Sequence, residues 1–335
     1  MEKTKYFKKL GPFIQNNIAL LAVLVLMLFG IASYGTTFFN YQRNLINVLH
    51  TASMMGIMGI GVNLCFLIGA RDLSVAAVAA SASMFSALFS PYGFLPSVLG
   101  GLAVGLTFGL LNGIIVAKFR VQPFIATLGT QLAARGLALL MNGERSITIA
   151  DTATQLKAMG NANILNILPV PAFIFIVLLL GFSYATRYTK FGRDIYAVGG
   201  NEEAARMMGV KVDKVKIAVF IISGLTAALC GVVLSGRLSA GQPTACEGWE
   251  MTIMAAIVIG GTSVRGGEGK IQGIFWGSLF VNFITNLINL NGRISAYWKD
   301  ISTGVILLLA VLLQVYSDYR KGKLKSNKKK VKAVG

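Results

Sequence analysis

An all-α, polytopic membrane protein of about ten transmembrane helices is the fold class this sequence predicts, and three observations carry it. Of its 335 residues 55% are hydrophobic and only 13% are charged, against about 25% charged in soluble domains. The mean hydropathy is +0.67, and the apolar residues gather in runs close to the roughly 20 residues that cross a bilayer core. The third observation is where the charge sits. A net charge of +18 would suit a nucleic-acid partner, but Lys and Arg lie in short segments between apolar runs, which is the positive-inside pattern. Nucleic acid is therefore set aside, and the lipid membrane becomes the first partner. Cys65, Cys230 and Cys246 form no CxxC pair and His50 is the only histidine, so no disulfide framework, metal site or cofactor is indicated.

In chain order, a basic start, MEKTKYFKKL, precedes an apolar run of 22 residues from Ile18 to Phe39. It outruns the core of a cleavable signal peptide, so it is the predicted first span, with the N-terminus inside. The second span, near Asn44 to Gly69, places Asn47, His50 and Thr51 on one helical face, a face that should meet protein or water. For His50 the structural reading is a ring held between helices, and the functional one is a proton relay. A break at Gly69-Ala70-Arg71-Asp72 leads into a small-residue helix, Leu73 to Ser90. The fourth span, Leu95 to Ala117, carries Gly101, Gly105, Gly109 and Gly113 at a spacing of four, a smooth ridge for close helix packing.

The fifth span, Pro123 to Met141, aligns Thr127, Thr130, Gln131 and Arg135 on one face. An unpaired charge at the depth of Arg135 costs roughly 2.5 kcal/mol or more, so it needs a partner or a wet cavity. A polar outside loop runs from Asn142 to Leu168, and the sixth span follows from Pro169 to Thr186. Val215 to Gly236 is the seventh span, Arg237 to Gly248 an outside turn, and Trp249 to Ile259 an apolar helix too short to span comfortably alone. The glycine-rich stretch Gly260 to Lys270 tempts a phosphate-loop reading, but Gly269-Lys270 is followed by Ile271 and preceded at the required distance by Val264. The pattern fails, and no other nucleotide-hydrolysis motif is present.

The ninth span, Gln272 to Leu290, sets Asn282, Thr285, Asn286 and Asn289 at i, i+3, i+4 and i+7. Such a face either lines a wet path or holds helices together. Trp298 to Tyr316 is the tenth span, before a Lys-rich tail. Ten spans put both termini on one side, and the charges agree: only Arg43, Arg145, Lys157, Arg237, Arg293 and Lys299 of the 31 basic residues fall outside, with Arg135 in the membrane. The expected division is a transmembrane unit at 1–317 and a basic cytoplasmic tail at 318–335.

The longest charged interruption, Arg187 to Lys216, is then cytoplasmic. Within it Gly199 and Gly200 break the chain, Asn201 caps a short helix, Glu202 and Glu203 suit its first turn, and Gly209 ends it. Glu202 and Arg206 are four apart and can pair, while Ala204, Ala205, Met207 and Met208 offer small and pliable apolar contacts. The loop reads either as a docking helix or as a solvated connection.

These segments carry a resemblance. Asp72-Leu73-Ser74-Val75, then VQPFIATLGT from Val121 with Arg135-Gly136, then FGRDIYAVGGNEEAARMMGV from Phe191, then AAIVIGGTSVRGGEGKIQG from Ala255, and finally Tyr297-Trp298 occur in one order. Together they make the chain similar to permease subunits of ribose/galactose/xylose-type ABC importers. The resemblance implies a subunit without its own ATPase, in the bacterial plasma (inner) membrane, that moves a small polar solute such as a monosaccharide. It further implies an ABC ATPase on the cytoplasmic side, an extracytoplasmic solute-binding protein and a second permease subunit, identical or different. Gly199, Gly200, Asn201, Glu202, Glu203, Ala204, Ala205, Arg206 and Gly209 then resemble the coupling helix that meets the ATPase. The path candidates are Asn47, Thr51, Thr127, Thr130, Gln131, Arg135, Asn282, Thr285, Asn286 and Asn289.

A non-sugar cargo such as a nucleoside stays open, because Ala70-Arg71 and Lys299 differ from the usual family pattern. An ion-coupled secondary transporter is disfavoured, since Asp72, Glu250 and Asp300 fall near predicted span ends. A membrane enzyme is disfavoured by one histidine and scattered carboxylates.

Overall fold

In a bilayer every backbone polar group must be satisfied within its own segment, and the apolar runs comply by forming helices. The computed structural model describes residues 18–292, 295, 297–312, 316 and 319. The basic start, Arg293 and, apart from Tyr319, the tail at 318–335 lie outside the described residues. Helix α1 (Ile18–Phe39) leads through one π-helical turn at Tyr41–Leu45 into α2 (Ile46–Leu67). Then come α3 (Val75–Leu88), α4 (Phe94–Ala117), α5 (Pro123–Leu140), α6 (Thr154–Asn161) and α7 (Val170–Tyr188). After α8 (Lys190–Gly200) and α9 (Glu202–Met207), the chain forms α10 (Val212–Leu238), α11 (Trp249–Ile259) and α12 (Gly273–Asn291). Residues 298–312 are also helical.

Among the described residues seven helices, α1, α2, α4, α5, α7, α10 and α12, are long and apolar enough to cross a membrane. Helix α3 has 14 residues and α11 has 11, so each reaches only part of the way at 1.5 Å per residue. The expected span Leu73 to Ser90 is thus a shorter helix, because Asp72, Leu73 and Ser74 are held in a turn and Ser90–Tyr92 closes the far end as a 3₁₀ turn.

Helix α2 is the axis of the bundle, buried almost along its whole length. Helix α10 packs along it and along α3 and α4. The glycine ridge of α4 is what allows the last contact. Gly105, Gly109 and Gly113 meet the backbone of Gly224, Phe220 and Ile217 of α10 in turn, and Gly101 meets the Val232 side chain, so the two helices run antiparallel at close approach. The remaining side of α2 is covered by α7, α11 and α12, and α1 lies on α12.

The segments expected outside meet one another. Strand β1 (Ile147–Thr148) pairs antiparallel with β4 (Ala240–Gly241), and β2 (Asn163–Ile164) pairs with β3 (Leu168–Pro169). The outside turn begins later than expected, since Arg237 belongs to the last turn of α10 and Ser239 ends that helix in a left-handed conformation. The three cysteines are free and buried.

One local expectation is overturned. Gly199 and Gly200 do not break the chain but form the last turn of α8, and the break falls at Asn201. The reason is packing. The Gly199 backbone lies against the Leu67 carbonyl and the Gly267 amide, so the glycine there gives room for a close approach rather than a flexible joint.

Candidate functional site

The interruption after α2 creates a buried polar hub. Asp72 is nearly inaccessible, and its Oδ1 accepts from the Ser74 backbone N–H at 3.0 Å and from the Ser74 hydroxyl at 2.6 Å. Ser223 donates to Asp72 Oδ2 at 2.8 Å. Asn112 of α4 donates to the Ser74 hydroxyl oxygen at 2.9 Å, and Thr130 of α5 donates to Asn112 Oδ1 at 2.7 Å. Thr127 donates to the Arg71 carbonyl at 3.3 Å. Four elements are therefore joined through one carboxylate, as a buried charge requires. Ser223 lies eleven residues beyond Val212, roughly 16 Å along α10. Asp72 is accordingly well inside the bundle, not at an exposed span end.

A second polar group lies on the same face of α5. Arg135, twelve residues beyond Pro123 and roughly 18 Å along the helix, donates through Nη1 to the carbonyls of Pro243 at 2.6 Å and Ala245 at 3.1 Å. Those carbonyls meet the predicted need for a partner. Gln131 donates to Glu250 Oε1 at 3.2 Å. Glu250 stands in the first turn of α11, which the left-handed Gly248 starts, and its Oε2 is buried without a hydrogen-bond partner. An amide, a guanidinium and a half-engaged carboxylate thus converge around the start of α11, within the span of the bundle. This is hydroxyl-binding chemistry.

The face of α12 behaves differently. Asn286 and Asn44 exchange hydrogen bonds, Asn286 donating at 2.7 Å and Asn44 donating back at 3.2 Å. Buried Asn282 donates to the Ser278 carbonyl at 2.8 Å and touches the Met55 sulfur. Thr285 bonds its own helix at the Val281 carbonyl, and Asn289 is exposed. Helix α5 packs on α3 and α4, whereas α12 packs on α1, α2 and α11, so the two polar faces belong to different parts of the bundle. On α2, exposed Asn47 accepts from Arg237 at 3.4 Å, Thr51 donates to the Asn47 carbonyl, and buried His50 leaves Nδ1 without a hydrogen-bond partner.

In the charged loop, Asn201 Oδ1 accepts from the Ala204 N–H at 2.9 Å, capping α9, and Gly209 follows with a φ of 83°. The expected Glu202–Arg206 pair forms at 3.6 Å and extends into a chain, because Arg206 also meets Asp213 at 2.9 Å and Lys216 meets Glu202 at 2.7 Å. The Asp213 carboxylate holds the Arg206 guanidinium above its usual pKa. Ala205 is fully buried inside the chain, whereas Met207 is 83% and Met208 72% exposed. Ala205 is therefore removed from the outward apolar surface expected for it, and the methionines remain. The glycine-rich stretch has a structural role: the Gly267 N–H donates to the Leu67 carbonyl at 2.9 Å, Arg71 to the Val264 carbonyl at 3.3 Å, and Tyr196 of α8 to the Gly269 carbonyl at 2.9 Å.

Sequence reasoning missed Asp72, Ser74, Asn112, Ser223 and Glu250 as site residues. Asp72, Ser74 and Glu250 stood in conspicuous motifs. Asn112 and Ser223, single polar residues in apolar runs, gave no periodic signal.

The comparisons with known proteins agree with this architecture. The family described as branched-chain amino acid transport system / permease component matches residues 44–311. The ribose import permease protein of Escherichia coli K12 is 38% identical over 313 residues, covering 92% of this chain and 96% of its own. That of Haemophilus influenzae is 36% identical over 320 residues, covering 93% and 97%. The L-arabinose transport system permease protein of Escherichia coli K12 is 36% identical over 273 residues, covering 80% and 81%. No solved structure matches the chain.

Proposed function

We propose, given that the chain belongs to the branched-chain amino acid transport system / permease component family, that it is the membrane-spanning permease subunit of an ATP-driven monosaccharide importer in the bacterial inner membrane. The single observation that carries the sugar reading is the extent of likeness to the ribose permeases, which leaves little of either chain unmatched. The chain is a transport component rather than an enzyme. Its partners are an ATPase, a separate subunit, and a solute-binding protein.

The finer reading has ten crossings with both termini cytoplasmic, a transmembrane unit at 1–317 with the loop 187–216, and a basic tail at 318–335. Two permease subunits enclose one path. The α5 face with Thr130, Gln131 and Arg135, joined by Glu250, meets the sugar hydroxyls on its way through, while the expected path residue Thr127, fully buried, belongs to the polar hub. Thr285 and Asn289 of α12 and Asn47 and Thr51 of α2 extend the polar lining, while Asn282 and Asn286 hold helices together.

The ATPase grips α9 at Met207 and Met208, with Glu202, Glu203 and Arg206 at the rim. Because Gly199 in the last turn of α8 is packed against the Leu67 carbonyl and the Gly267 amide, a displacement of α8 moves the end of α2 and the glycine-rich loop together. That loop is continuous with α11, a rigid helix of 11 residues that carries Glu250 at its other end. ATP-driven motion thereby reaches the Gln131–Glu250 pair, and coupling through packed elements is what a two-state transporter requires.

The test is uptake into vesicles holding the permease, its ATPase and its binding protein, with ATP supplied at the ATPase side. Ribose or arabinose uptake that depends on all three is expected. Nucleoside uptake without pentose uptake would return the non-sugar alternative.

A further inference from the structure

At the end of α7 that leads into α8, a cleft of about 630 Å³ opens between α7, α8 and the glycine-rich loop. The charged side chains that line it are Arg187, Arg193 and Lys270, and no carboxylate lines it. Among the described residues none of these three stands in an ion pair. Ser183 also lines the cleft, with its hydroxyl buried and without a hydrogen-bond partner.

The walls are fixed in advance. Thr189 caps α8 by accepting from the Gly192 N–H at 3.3 Å, and Gly192 sits so close to the Thr186 carbonyl that a side chain there has no space. Tyr196 ties α8 to the loop through the Gly269 carbonyl at 2.9 Å. Three exposed cations on three separate segments thereby line one concavity, Arg187 also resting on the Tyr188 ring, and an anion bound there would relieve their mutual repulsion. Two guanidiniums and an ammonium match the oxygens of a phosphate group, Arg by paired N–H donors and Lys as a point charge, and a serine hydroxyl adds a neutral donor.

We infer that this cleft binds a phosphate group through Arg187, Arg193, Lys270 and Ser183. Arg187 lies in the last turn of a membrane span, the level at which phospholipid headgroups stand and attract basic residues. The phosphate belongs either to an anionic lipid or to a free phosphate in solution, and the two are separable.

Titration of the purified full chain with short-chain phosphatidylglycerol, short-chain phosphatidylcholine and sodium phosphate, read by calorimetry, tests this. Phosphatidylglycerol should bind at least about tenfold tighter than phosphatidylcholine. The triple variant Arg187→Gln/Arg193→Gln/Lys270→Gln should lose that preference, and Lys214→Gln, exposed and outside the cleft, should keep it. Displacement of the lipid by millimolar sodium phosphate assigns the site to free phosphate, and failure to displace assigns it to the headgroup. Should the triple variant fold poorly, Ser183→Ala and Arg193→Gln singly are each expected to weaken binding about threefold. Unchanged phosphatidylglycerol affinity in these variants, or equal affinity for the two lipids together with no phosphate binding, overturns the inference.

Discussion

A side chain at Gly199 would run into the carbonyl oxygen of Leu67, so the end of α8 and the end of α2 touch through backbone alone. Gly200, one residue on, has nothing within 4 Å of where a Cβ would stand. The two glycines look equivalent in the sequence, yet only one of them is a point of contact.

Gly199→Ala should therefore destabilise the chain by about 1–3 kcal/mol, the usual cost of overpacking, and reduce uptake at least tenfold. Gly200→Ala should be neutral or slightly stabilising, since a helical glycine costs up to about 1 kcal/mol relative to alanine. Thermal melts of the two purified variants, with uptake beside them, give the comparison. Equal behaviour would remove Gly199 from the coupling route.

The exposed methionines and the buried alanine of α9 should separate docking from folding. Met207→Asp with Met208→Asp is expected to abolish substrate-stimulated ATP hydrolysis and co-purification of the ATPase while leaving the melting temperature unchanged. Ala205→Asp should instead lower the melting temperature, because it buries an unpaired charge. Reversing Glu203 and Arg206 should weaken stimulation with little effect on stability, since the Arg206 pairs with Glu202 and Asp213 are exposed and screened by solvent. Wild-type stimulation in the methionine variant would make α9 an ordinary solvated connection.

Asp72 should act through structure. Asp72→Ala leaves the hydroxyls of Ser74 and Ser223 without their acceptor, at a cost of about 1–3 kcal/mol for each buried group left unsatisfied. Ser223→Ala removes one donor and should cost less. Denaturation of both variants settles the order, and an Asp72→Ala protein as stable as wild type would contradict a hub role.

At the start of α11, Glu250→Gln and Gln131→Ala should each raise the half-saturating sugar concentration for uptake by about tenfold. The concentration of binding protein needed for half-maximal uptake should stay the same. A shift in the latter alone would place these residues at the binding-protein interface instead.

Cysteine substitution distinguishes path from packing on α12. Cysteine at Thr285 and Asn289 should react with water-soluble thiol reagents in a manner that depends on ATP, whereas cysteine at Asn282 should stay protected. Uniform protection would assign the whole face to helix packing.

What the sequence by itself determined is what depends on local chemistry. Apolar runs of 18 or more residues specify helices whatever surrounds them, so α1, α5 and α12 follow the boundaries expected within a residue or so. The cap at Asn201, the left-handed Gly209 and the Glu202–Arg206 pair are equally local, set by residues three to eight apart. The glycine ridge of α4 announced a close neighbour but not that the neighbour was α10. What only the tertiary structure decided rests on atoms far apart in the chain: Ser223 and Asp72 are 151 residues apart, and Gln131 and Glu250 are 119. A carboxylate followed by a small helix reads as a span end until other helices enclose it. Ala205 reads as surface until the main core encloses it, and no periodicity within one segment encodes either enclosure.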